Sequence, residues 1–233
     1  MPSYSTMKTR LPDFESLDQM AEATAAGLSQ AAAASAYELF CDKEFRRTAD
    51  LERLSQGEQD RIFNELVVAF LVLIMLLLEA PDLRVPRELR DYLAGLNKRI
   101  AEAYVKNLKT LGVETNHLRD WEKLISMRYE EYARDKHEVR AAAMQIESAE
   151  KSLDLAGLSK IQLLVPVQAV SIGCHHHICR GNTDGQDGLF TQIFKTLSKF
   201  YVEVRIRLEG GKITPLTRAR VALKRMFQRL DRK

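Results

Sequence analysis

Residues that break regular structure are scarce in this 233-residue chain, which contains 11 glycines and 6 prolines. Aromatic residues are also few, at 7% of the sequence. Alanine, leucine, glutamate, lysine and arginine, which favour helices, take their place. With 45% hydrophobic and 29% charged residues, the composition is that of a folded globular protein and argues against wholesale disorder. We therefore expect a mostly α-helical fold.

Cysteine is nearly absent, since the chain has only Cys41, Cys174 and Cys179. An odd, small number at uneven spacing does not make a disulfide framework. Residues 1–12 lack the apolar core of a signal peptide, and we expect them to form a flexible arm. These absences together favour a cytoplasmic location.

The chain also has no apolar run as long as a typical membrane-spanning helix. The longest, Leu66–Leu78, is shorter than the roughly 18 residues expected of a membrane-spanning helix. It is apolar on every face, so other elements must surround it. Leu158–Ile178 is again apolar on most sides, although its β-branched residues and Pro166 leave a strand as an alternative. We predict that both segments are helices and that they form the centre of the fold.

Striped segments that alternate apolar and polar faces with a helical period occupy most of the remaining chain. They are Asp13–Gln30, Ala31–Leu54, Pro86–Leu111, His117–Leu153 and Leu189–Leu208. Val202–Leu208 also alternates with period two, which is typical of a strand, but no obvious partner strand is nearby. Ser55 and Glu58 form a capping-box pattern before the apolar helix. The sequence predicts an all-α bundle of six to eight helices, with a single domain over residues 13–233.

A run of histidines between two cysteines is the most unusual string in the sequence. Imidazole and thiolate groups suit zinc, copper or iron, so Cys174, His175, His177 and Cys179 are candidate ligands of zinc or another transition metal. On a regular helix only residues three or four apart share a face, so one ion needs ligands from elsewhere, such as His137, Asp184 or Asp187. The alternative is a helix end at which the histidines meet the dipole favourably.

Other chemical patterns are weaker. Residues 182–188 resemble a calcium loop but lack an acid at the twelfth position. Glu65, Glu130 and Glu131 suggest a di-metal carboxylate site, but none of the three has a histidine three residues later. We expect Glu65 to pair with Arg61 one turn earlier. No nucleophile elbow, P-loop or dinucleotide-binding glycine motif is present.

Positive charge is concentrated near the C-terminus. Residues 195–233 contain twelve Lys and Arg and three acids, a net charge of +9, so the rest of the chain carries −6. A basic amphipathic helix is expected over about residues 214–233. The candidate contacts to nucleic acid or another acidic partner are Arg218, Arg220, Lys224, Arg225, Arg229 and Arg232. The alternative is that these basic residues form the solvated face of an amphipathic helix and contact no partner.

These patterns favour a non-catalytic helical interaction or regulatory protein whose basic segment contacts nucleic acid or an acidic protein. The alternative, from a different class, is a metal-binding enzyme or sensor that uses the segment Cys174–Cys179. A peripheral membrane role is a third hypothesis, and self-association is compatible with the sequence.

Overall fold

Seven α-helices and no strand form the part of the chain that the computed structural model describes, residues 16–86, 89–150, 155–183 and 187–211. The helices are α1 (Leu17–Cys41), α2 (Lys43–Thr48), α3 (Gln56–Leu78), α4 (Arg90–Thr110), α5 (Thr115–Glu150), α6 (Leu155–Ile178) and α7 (Gly188–Leu208). The predicted all-α bundle of six to eight helices is confirmed. The predicted arm over residues 1–12 and the predicted helix over 214–233 lie outside the described residues.

Helix α3 is the central element of the bundle. Every residue from Glu65 to Leu78 is buried, and α3 packs against α1, α4, α5, α6 and α7. By length and composition α3 could also cross a membrane, but 83% of its most apolar window is buried inside the bundle. Contact on all sides explains why this helix has no polar face beyond Glu65.

Both segments with a strand alternative are helical. Helix α6 continues through Pro166, and its residues Val165, Val167 and Val170 are buried. Helix α7 extends to Leu208, and its helical period buries Phe200 and Val204. The period-two pattern at residues 202–208 therefore did not produce a strand, because no other strand exists among the described residues to pair with it.

The N-terminal part differs from the two pieces expected over Asp13–Gln30 and Ala31–Leu54. Helix α1 runs without a break from Leu17 to Cys41 and buries a row of small residues. The row consists of Ala21, Ala25, Ser29, Ala32 and Ala36. The chain breaks at Asp42 instead, whose extended backbone ends α1 and whose side chain accepts a hydrogen bond from the Phe45 N–H at the start of α2.

Two helix starts near the candidate sites are capped by side chains. The Ser55 hydroxyl accepts a hydrogen bond from the Glu58 N–H, as the capping-box pattern predicts. The Glu58 carboxylate does not complete the box and instead binds Arg61 and Arg180. Asp187 caps α7 by accepting a hydrogen bond from the Phe190 N–H at 2.8 Å.

Candidate functional site

The candidate partner-binding residues lie in the part of the chain that the structure does not describe. They are Arg218, Arg220, Lys224, Arg225, Arg229 and Arg232. The described neighbour of this segment is α7, which carries four of the twelve C-terminal cations: Lys195, Lys199, Arg205 and Arg207.

Arg205 differs from the other cations of α7 because it is paired with acidic side chains of the bundle. Its side chain is only 12% exposed and pairs with Asp82 and Glu209, each at 3.0 Å. It also donates a hydrogen bond to the backbone carbonyl of Asp82 at 2.7 Å. Burial acts to lower the pKa of Arg205, but the hydrogen bond and the negative charge of Asp82 raise it. Arg205 thus fastens α7 to the connection between α3 and α4.

The candidate metal ligands at the end of α6 face different neighbours. The Cys174 thiol is buried and lies 3.9 Å from the backbone oxygen of Glu65 on α3. The Nε2 atom of His177 lies 2.8 Å from a carboxylate oxygen of Glu131 on α5. The Nε2 atom of His175 lies 3.1 Å from Asp187 at the start of α7. Since successive residues of a helix turn by about 100°, the adjacent ligands diverge to three helices.

Neither cysteine of this segment is an activated thiol. Burial raises the pKa of Cys174, and the negative charge of Glu65 raises it further. Burial and the carboxylate of Asp187 also raise the pKa of Cys179, although Arg61 acts in the opposite direction. Because the thiolate is the reactive form of cysteine, these environments disfavour nucleophilic chemistry. Within the described residues, no group of three or more His, Cys, Asp or Glu is arranged to hold a metal ion.

A largely buried network of charged groups joins α3 and α5. The Arg128 guanidinium donates hydrogen bonds to both carboxylate oxygens of Glu65, at 2.7 and 3.0 Å. The two side chains are only 13% and 7% exposed. Arg128 also binds Glu131 at 3.1 Å. Burial disfavours the charge of Arg128, but the hydrogen bonds and charge of Glu65 raise its pKa.

This pairing corrects one expectation. Glu65 pairs with Arg128 on another helix rather than with Arg61 on its own. The Arg128 side chain is largely buried, at 13% exposed, and Glu65 neutralises its charge.

The network reaches α6 through Glu131, Tyr132 and Arg61. Both carboxylate oxygens of Glu131 lie within 2.9 Å of the His177 ring nitrogen. The Tyr132 ring is fully buried and occupies the space above Gly173, where an added Cβ atom would lie 2.1 Å from the ring. Burial raises the pKa of Tyr132 well above the ordinary value of a phenol.

Arg61 completes this end of α6. Its guanidinium donates hydrogen bonds to the backbone carbonyls of His177 and Ile178, at 2.7 and 2.9 Å. Carbonyl groups in the last turn of a helix have no partner within the helix, and a positive charge there also favours the dipole. Arg180 binds Glu58 on α3, so charged groups hold the start of α3 against the end of α6.

The charged groups of this network pair with one another, and these pairs hold α3, α5 and α6 together. Sequence reasoning missed it, although Arg128 interrupts the apolar stripe of α5 and Glu65 directly precedes the all-apolar part of α3. A charged residue at such a position needs an opposite charge within reach, and that requirement was the available signal.

Comparison with known proteins identifies no relative. No protein-family model, no curated protein and no solved structure matches the chain.

Proposed function

We propose that this protein is a non-catalytic helical interaction protein that binds nucleic acid through its basic C-terminal portion. The uneven distribution of charge carries the proposal. Residues 195–233 have a net charge of +9, whereas the rest of the chain has −6. A basic surface of this kind attracts a polyanion and releases its counterions on binding.

The type of cation favours phosphate as the group that is bound. Five of the six candidate contacts are arginines and only one, Lys224, is a lysine. The guanidinium fork of arginine matches phosphate oxygens in a bidentate manner. Since no RNA-binding aromatic motif is evident in the sequence, we expect contacts to the backbone rather than base readout.

The charged groups inside the described bundle bind one another, which favours a structural role for them and supports a binding function carried by the basic portion. Glu65, Arg128, Glu131 and His177 make hydrogen bonds to one another. A cavity of about 290 Å³ lies between α1 and α4, away from this network. The network supports the scaffold on which the basic portion is carried.

Fluorescence anisotropy with a labelled 20-base-pair duplex and a labelled single strand tests the proposal. We expect log K to fall linearly with log salt concentration, with a slope of about −5 if all six candidate residues contact phosphates of a duplex. Arg225→Gln with Arg229→Gln should make the slope shallower by about 2. Binding to labelled poly-glutamate but to neither nucleic acid would instead assign an acidic protein partner and overturn the choice of nucleic acid.

A further inference from the structure

A groove opens where the connection between α4 and α5 approaches α3. It has a volume of about 410 Å³ and is lined by Asn64, Val113, His117, Asp120, Trp121 and Leu124. Val113, Trp121 and Leu124 are only partly buried, so the groove presents apolar surface to the solvent. Pockets that take small molecules have volumes of about 300–1,000 Å³, and the groove therefore has room for an apolar side chain.

Leu111 lies beside this groove, at the end of α4 and two residues before Val113. It is 72% exposed, the largest value among the large apolar residues of the described chain. Its backbone is fixed, because its N–H donates hydrogen bonds to the carbonyls of Asn107 and Leu108, each at 3.1 Å. Leu111 is thus an apolar projection on a fixed backbone, which reduces the ordering cost of burying it against a partner.

A projection and a groove on the same face make that face complementary to itself. In a dimer with two-fold symmetry each patch is used twice, so a residue that enters the partner's groove receives the same contact in return. The charges of the patch are of both signs. Lys109, beside the projection, is exposed and makes no ion pair within the described residues, whereas Asp120 contributes a carboxylate to the groove. Such a patch can pair opposite charges across the two-fold axis.

We propose that a second copy of this chain binds at this face, and that Leu111 of each copy inserts into the groove of the other. Trp121 provides a preformed wall for the insertion, because its ring packs edge-on against Tyr104 of α4, with ring centroids 5.1 Å apart. Tryptophan is also enriched among the residues that contribute most to binding at protein interfaces. The dimer surface consists of described helices and their connection, so this inference does not rest on the proposed nucleic-acid function.

Sedimentation velocity of the full-length protein without nucleic acid, over the micromolar concentration range, tests the dimer. Four proteins are compared: wild type, Leu111→Asp, Val113→Asp and Leu17→Asp. Leu17 is the matched control, because it is also a leucine at a helix end and is 68% exposed. It adjoins Asp18, which pairs with Arg99, about three turns before Leu111 along α4. Circular dichroism verifies that each variant keeps its helical content.

We expect the wild type to change from monomer to dimer as the concentration rises. Leu111→Asp should raise the dimer Kd by at least about 30-fold, the loss typical of a residue that dominates an interface. Val113→Asp places a carboxylate in the groove and should also weaken the dimer, whereas Leu17→Asp should keep the wild-type Kd. The inference is overturned if the wild type stays monomeric throughout this range, or if either variant at the groove dimerises as tightly as Leu17→Asp.

Discussion

Arg128 on α5 binds both carboxylate oxygens of Glu65 on α3, and both side chains are largely buried, at 13% and 7% exposed. Removing one partner of a buried ion pair leaves an uncompensated charge, which typically costs about 3 kcal/mol or more. We therefore expect Glu65→Gln or Arg128→Met to lower the free energy of unfolding by about 3 kcal/mol. Urea unfolding followed by circular dichroism measures this change.

A double variant separates charge from packing. Glu65→Leu combined with Arg128→Met leaves no unpaired buried charge, so it should recover most of the stability that either single variant loses. Arg134→Met is a surface control: Arg134 contacts Asp135 in an exposed pair, and its loss should cost less than about 0.5 kcal/mol. Equal losses in the control and in Arg128→Met would show that the buried pair contributes nothing special.

Gly173 of α6 lies directly against the Tyr132 ring of α5. A Cβ atom at this position would lie 2.1 Å from the Tyr132 ring, so Gly173→Ala should destabilise the protein by overpacking, by about 1–3 kcal/mol. Adding Tyr132→Leu, which removes the ring, should recover part of the loss. Thermal unfolding of the single and double variants measures both effects.

Gly27→Ala is the matched control for that substitution. Gly27 also lies inside a helix, but an added Cβ atom meets nothing within 4 Å. Alanine restricts the unfolded chain and favours the helix, so this variant should be more stable than the wild type by about 0.5–1 kcal/mol. The account of the contact with Tyr132 is wrong if both glycine variants shift Tm in the same direction.

The sequence was sufficient to predict the fold class and most of the helices but not the extent of α1 or the partners of the charged residues. The apolar segment at Leu66–Leu78 and the stripes around it dictate a bundle with α3 at its centre. The extent of α1 could not be read from the pattern, because alanine has little facial preference and the break at Asp42 depends on the cap of α2. The partner of Glu65 could not be read either, since Arg128 is distant in sequence and only packing brings the two together.

Asp187 provides a prediction for acidic pH. Burial acts to raise its pKa, but the hydrogen bond from the Phe190 N–H and the interaction with the neighbouring His175 ring lower it overall. A carboxyl group whose pKa is lower in the folded protein stabilises it above the unfolded pKa, about 3.9, and loses this contribution as pH falls through the folded value. Asp187→Ala should therefore cost about 1 kcal/mol at pH 7 and less at pH 3, as measured by urea unfolding.

Asp187→Asn is the control, because asparagine also caps a helix but carries no carboxyl group. Its stability relative to Asp187→Ala should not vary with pH in this range. A penalty for Asp187→Ala that stays constant from pH 7 to pH 3 would contradict the assignment of the effect to the ionised cap.

The divergent side chains at the end of α6 lead to a prediction about metal. Since Cys174, His175 and His177 face three different helices, we expect stoichiometric zinc to leave the thermal unfolding midpoint unchanged. Elemental analysis of the purified protein provides a second readout. Zinc that is bound by the wild type, lost in Cys179→Ser and retained in Cys41→Ser would support the metal-binding hypothesis, because Cys41 is an exposed cysteine on a different helix.

The salt dependence of duplex binding by the unmodified chain bears most directly on the proposed function. Because the positive charge of the protein is gathered on α7 and the residues after it, the account predicts tight binding at low salt and a slope of log K steeper than about −3. Absence of binding at low salt, or an affinity that does not respond to salt, would contradict it.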